Sequence, residues 1–265
     1  MIPEKVASGT QRRWVDNIGA AAIVFRGRDP RQIFLDKKVG YPICAFANKL
    51  YPIGGTWIGD DALNDVNPLG TLRREIGEEL NPNGGLHHKD LSAMGFPEST
   101  HSSELRKQGL TPSNSEAQTL KGLVKVIQES LLPFGDFINH APREVLDTAD
   151  VDNKLDGVTA LMSVWLAPLR DIEWQLLISL QGSLGNLSSE SASIVTSVSH
   201  IIDVGCEFAL GTDRICKQFF ESIGIQEAAK LPLISSVSSE LIGHPRPEYA
   251  DYLTSFQVGR KPSGF

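Results

Sequence analysis

A chain of 265 residues amounts to one or two domains at the usual ~150 residues each, enough to bury a core without disulfide or metal staples. Hydrophobic residues make up 41% and charged residues 22%, which excludes wholesale disorder, collagen-like repeats and coiled-coil composition. Lys and Arg number 25 against 32 Asp and Glu, a net charge of −7 that excludes generic nucleic-acid coating but leaves room for a small phosphorylated ligand beside a few local cations or a divalent metal.

In chain order, the N-terminal MIPEKVASGTQRRW carries no apolar export region, and no run of eighteen apolar residues follows. Cys44, Cys206 and Cys216 form neither a disulfide framework nor a zinc knuckle. The expectation is a cytoplasmic protein that does not span a membrane, with Cys44 a buried small hydrophobe. The apolar run Ile18 to Phe25 breaks at the polar turn RGRDPRQ and resumes as IFLDKK, predicting a β-hairpin that ends at Lys37 and Lys38. Tyr41 to Ile53 is a further apolar run leading into Gly54 and Gly55, a pair free to adopt backbone shapes other residues avoid.

Asn67 then reads as an N-cap and Pro68 as the first residue of the helix LGTLRREIGEEL. Asn81 and Pro82 stop that helix, Asn81 as a left-handed cap. The stretch 83–114 is polar and too long for an ordinary connection, so we read an insertion, placed overall at 83–135. Residues 115–132 look helical with Ser115 as cap, and Val158 to Leu169 reads as a central strand buried on both faces. A Ser- and Gly-rich loop at 182–193 and a helix from Asp213 to Ser222 follow, and the tail from about Ile225 reads as irregular. The expected domain is 15–225, with 226–265 an irregular extension.

The chemistry sits in Arg74-Glu75-Ile76-Gly77-Glu78-Glu79. On a helical wheel Leu69, Leu72, Ile76 and Leu80 share one arc, and Glu75, Glu78 and Glu79 the neighbouring one, where like charges repel. A hard divalent cation makes such clustering favourable, because Mg²⁺ takes carboxylate, water and phosphate oxygens. The alternative is a solvated, salt-bridged helix face.

With Gly55, Asp61, Arg74, Glu75, Ile76, Glu78 and Glu79, the chain resembles the Nudix hydrolases, whose signature is Gly, five residues, Glu, seven residues, then Arg-Glu-aliphatic-x-Glu-Glu-x-Gly-aliphatic. Three departures stand out. Asp61 replaces the family's Glu, twelve residues separate it from Arg74, and Asn81-Pro82 replaces the closing Gly-aliphatic pair. The resemblance implies an α/β (α+β) fold, an α/β/α sandwich around a mixed β-sheet, with a long insertion after the motif helix. It also implies a Mg²⁺-dependent (or Mn²⁺-dependent) hydrolase cleaving a phosphoanhydride bond in a nucleoside diphosphate linked to another moiety, with homodimers frequent in the family. Glu75, Glu78 and Glu79 would be metal ligands together with the Gly54 carbonyl, and Arg74 would orient a neighbouring carboxylate. The general base would be a helix glutamate or a downstream carboxylate, Glu190 or Glu173. A catalytically inactive nucleotide-binding domain is the competing reading.

Around this motif Gly55, Lys37, Lys38 and Trp57 are the candidate substrate contacts. Strand-end lysines are more often solubilising, and Trp57 is equally readable as a packing residue. His87-His88 reads as a solvated pair in the insertion. The run from Asp147 fails as a calcium loop, since Leu155 and Leu161 stand where Gly and Glu are needed.

Overall fold

The structure, a computed structural model, describes residues 13–38, 47–57, 65, 67–81, 112–142, 144, 157–189, 191–209, 211–234, 236–245 and 256–258. Along them run strands β1 (Arg13–Val15), β2 (Asn17–Arg26), β3 (Asp29–Lys37), β4 (Leu50–Tyr51) and β5 (Ile53–Thr56), then helices α1 (Pro68–Glu79) and α2 (Asn114–Glu129). Strands β6 (Leu132–Pro142) and β7 (Gly157–Leu169), helix α3 (Asp171–Leu184), strand β8 (Ala192–Ser197) and helices α4 (Val198–Val204) and α5 (Thr212–Ser222) follow. A 3-10 turn (Gln226–Lys230) and strands β9 (Ser238–Gly243) and β10 (Phe256–Val258) complete the order.

The main sheet has eight strands on the path β4-β3-β2-β7-β6-β9, with β5 also paired to β2 and β8 to β3. It is mixed: β7 runs parallel to β2 from Asn17↔Ala160 to Arg26↔Leu169 and antiparallel to β6. Burial on both faces explains why the apolar runs of β2 and β7 are nearly continuous. Ala20, Ala22 and Val24 of β2 join Leu72, Ile76, Leu123, Ile127, Trp174 and Leu177 in the layer formed by α1, α2 and α3. The alternate residues Ala21, Ile23 and Phe25 join Val198, Ile201, Ile215, Phe219 and Phe220 in the layer formed by α4 and α5. The fold is therefore the expected α/β/α sandwich around a mixed sheet, with β7 central. Among the described residues no helix is long and apolar enough to cross a membrane.

Several boundaries differ from the sequence expectations. The first hairpin turns on Gly27 and Arg28 alone, so Pro30 already lies in β3. Asn67 caps α1 as expected, accepting from the Gly70 N–H at 2.8 Å, but the helix closes on Leu80 at φ −83°, ψ 56° rather than on a left-handed Asn81. The cap of α2 is Ser113, whose reciprocal bonds with Glu116 form a capping box two residues before the expected Ser115. Residues 114–135, assigned to the insertion, supply α2 and the start of β6, both integral to the sandwich.

Helix α3 was missed because its sequence is apolar nearly all round. Ile172 and Leu176 stay exposed while Trp174 and Leu177 are buried, so no single stripe marks a face. The expected loop at 182–193 shrinks to the residues between α3 and β8. Among the described residues of the tail, expected to be irregular, Ser238–Gly243 pairs antiparallel with β6, and Phe256–Val258 pairs parallel with β1. The polar sequence SSELIG gives little strand signal, and its conformation comes from the backbone groups that β6 presents. Cys44, Asp61, His87, His88, the run 147–156 and Glu190 lie outside the described residues.

Candidate functional site

Helix α1 buries Leu72, Ile76 and Leu80 in the same core as Ile53 of β5, which turns the glutamate arc toward Gly54 and Gly55. Both glycines are required by this approach. Gly54 has φ +156°, and a Cβ there would stand 2.1 Å from the Ala20 carbonyl oxygen. A Cβ on Gly55 would stand 2.2 Å from the carboxyl carbon of Glu75, so the carboxylate occupies the space a side chain would fill.

Among the described residues, Arg74 and Lys38 pair with the helix carboxylates. Arg74 donates from Nη1 to Glu78 Oε2 at 2.6 Å and from Nη2 to Glu75 Oε1 at 2.7 Å and to the Thr56 carbonyl at 3.2 Å. Burial alone would lower the guanidinium pKa, but the charges of Glu75, Glu78 and Asp65 outweigh it and hold it above its ordinary value. Glu79 is committed elsewhere: its Oε1 accepts from Lys38 Nζ and its Oε2 from the Gly54 N–H, each at 2.9 Å. A loop beyond α3 closes the end of the helix. The Ser189 N–H donates to the Glu79 carbonyl and its Oγ to the Glu78 carbonyl, while Ser188 Oγ donates to buried Asp36 on β3.

No protein-family model matches the chain, and no curated protein matches it by sequence. The functional reading therefore stands on the residues themselves.

The structure brings together Gly54, Gly55, Arg74, Glu75, Glu78, Glu79 and Lys38. It does not bring in Lys37, since successive strand side chains point to opposite faces and Lys37 shares that of Leu35, on the α4–α5 side. Trp57 packs beside Val15, Ile18 and Leu161 and donates its indole N–H to the Asp65 carbonyl at 2.7 Å, so the packing reading describes it. Glu173 is a helix-capping residue: it accepts from the Arg170 guanidinium and from the Arg170 backbone N–H at 2.8 Å. The Arg170 hydrogen bond holds its carboxyl below the usual Glu value, which makes it a poor proton acceptor.

Asp65 was missed. Fully buried, it accepts from Thr71 Oγ1 and places Oδ2 3.6 Å from Arg74 Nη2, so a carboxylate from before α1 faces the Arg74 guanidinium. Eight residues separate Asp65 from Arg74, so the local sequence gives no helical or strand periodicity that would pair them.

The donor chemistry fits a hard divalent cation, since Glu75, Glu78 and Glu79 offer oxygens alone and Gly55 leaves room for one of these carboxylates against the strand. Among the described residues, however, no three carboxylate, His or Cys side chains stand arranged to hold a metal ion. The ion pairs give the reason: Arg74 draws Glu75 and Glu78 to itself, while Lys38 draws Glu79 toward β3.

Proposed function

We propose that this chain is a Mg²⁺-dependent pyrophosphohydrolase, Mn²⁺ substituting, that cleaves the phosphoanhydride bond of a nucleoside diphosphate linked to another moiety. The observation that carries the reading is the seating of two helix glutamates on the Gly54-Gly55 strand, Glu75 where Gly55 lacks a side chain and Glu79 on the Gly54 N–H, with Glu78 joined to Glu75 through Arg74. Glu75, Glu78 and Glu79 are the residues to hold the cation. A divalent cation held there would supply acidification of a water and neutralisation of phosphate charge.

Arg74 holds the carboxylates of Glu75 and Glu78 beside one another, and in this reading both would share their oxygens between the guanidinium and the cation. Asp65 and Thr56 hold the guanidinium in turn. Water adds to phosphorus as the bridging P–O bond breaks, and its proton passes to a carboxylate. With Glu173 committed to Arg170, a helix glutamate or Glu190 takes that role. A small nucleotide-type substrate, a homodimer and a cytoplasmic setting belong to the same reading.

Binding without turnover is a second reading, favoured by the Lys38–Glu79 ion pair, which occupies one of the three proposed metal carboxylates. A phosphate-release panel of nucleoside triphosphates, nucleotide sugars, ADP-ribose and dinucleotides, run with Mg²⁺, Mn²⁺ or EDTA, separates the two. Turnover abolished by EDTA and lowered roughly a hundredfold or more by Glu78→Gln is the expected result. Full activity in both Glu78→Gln and Glu79→Gln sinks the hydrolase. Calorimetric ligand binding with no phosphate release establishes the binding domain instead.

A further inference from the structure

Lys38 and Glu79 are deeply enclosed, with side chains 8% and 1% exposed, and Lys38 Nζ also stands 5.9 Å over the Tyr51 ring. Stability alone is a weak reason for such a pair, because desolvating both charges offsets most of their attraction and apolar residues of equal volume hold a core as well. Lys38 comes from the end of β3, whereas the cation on Glu75 and Glu78 is Arg74 of α1 itself. Its strand-mate Asp36 is anchored through Ser188 to the loop that ties down the α1 carboxyl end, so Lys38 is held against Glu79 by the frame of the site. We infer that Lys38 is an internal competitor for the metal: its ammonium and a divalent cation alternate on Glu79, and loading the site displaces Lys38 from Oε1. This rests on the metal-dependent reading of α1.

The test is Mn²⁺ titration of the full chain, followed by electron paramagnetic resonance, in wild type, Lys38→Met, Glu79→Gln and the double variant. Removing the ammonium takes away the cation that occupies Glu79 Oε1, so Lys38→Met is expected to bind Mn²⁺ about ten- to a hundredfold more tightly. In the Glu79→Gln background the same change is expected to have no effect on affinity. Thermal melts supply a second readout: Lys38→Met melts below wild type without Mn²⁺ and gains more on saturation, whereas Lys38→Arg behaves as wild type. Equal or weaker Mn²⁺ binding by Lys38→Met, with wild type still binding, overturns the competition and leaves the metal-dependent reading standing. Absence of Mn²⁺ binding in every variant overturns both. Should Lys38→Met fold only with Mn²⁺ present, the exchange is supported. Failure of both Lys38→Met and Lys38→Gln to fold even with Mn²⁺ shows a fixed structural pair and overturns it.

Discussion

Gly54 and Gly55 are chemically identical neighbours with different duties. At Gly54 a methyl group would meet the backbone of Ala20 and Ala21 in a region of φ that L-residues rarely adopt. Gly54→Ala is therefore expected to cost roughly 3 kcal/mol or more in a urea melt. At Gly55 the obstacle is the side-chain carboxylate of Glu75 rather than backbone, so Gly55→Ala is expected to cost less stability than Gly54→Ala while weakening Mn²⁺ binding about tenfold. Equal effects of the two variants on stability would contradict this division.

Asp213 shows the same dependence on surroundings. Buried at the start of α5, it accepts from the Ile234 N–H at 2.8 Å, and burial raises its carboxyl above the ordinary 3.8 against the lowering effect of that bond. A raised folded pKa favours the fold when the group is protonated. That contribution is complete below the unfolded value and is lost as pH rises through the folded one. Asp213→Asn keeps an oxygen for Ile234, so it is expected to be more stable than wild type at neutral pH, with the difference closing as pH falls toward about 3.8. Urea melts over a pH series read this out, and a pH-independent difference sinks the account.

At the scale of elements, α1 is the part of the molecule whose local rules and final structure agree most closely. Asn67, Pro68 and the Leu72, Ile76, Leu80 stripe define its start and its buried face before any tertiary contact is considered. Replacing Asn67 by Ala leaves the Gly70 N–H without its acceptor and is expected to cost about 1 kcal/mol in a denaturant melt. A smaller loss would show that packing alone holds the helix start. The other end follows a different logic. No residue within the helix caps the final carbonyls of Glu78 and Glu79; Ser189, more than a hundred residues later, donates to both. That is why the left-handed Asn81 cap, reasonable from the local sequence, is not used.

At the scale of the whole molecule, the C-terminal segment decides a point that composition misjudged. Leu231 and Val237 are buried, Arg214 Nε donates to the Val237 carbonyl at 2.7 Å, and β9 covers the outer edge of β6. Truncation after Lys230 is expected to lower the melting temperature by roughly 10 °C or more, several kcal/mol at about 3 °C each. An unchanged melt would mark 231–265 as dispensable. The residues themselves determined what is short-range: the hairpin, the doubly buried strand Val158 to Leu169, the capped helix and the gathering of three glutamates on one arc. These follow from periodicities of two and 3.6 and from capping chemistry, which act over a few residues. Only the tertiary structure decided which lysine faces α1, that Asp65 reaches Arg74, that Glu173 caps a helix, and that SSELIG becomes a strand. Each depends on a partner distant in sequence, and the energy of such a contact resides in the pair and in its burial, so neither segment carries the signal alone.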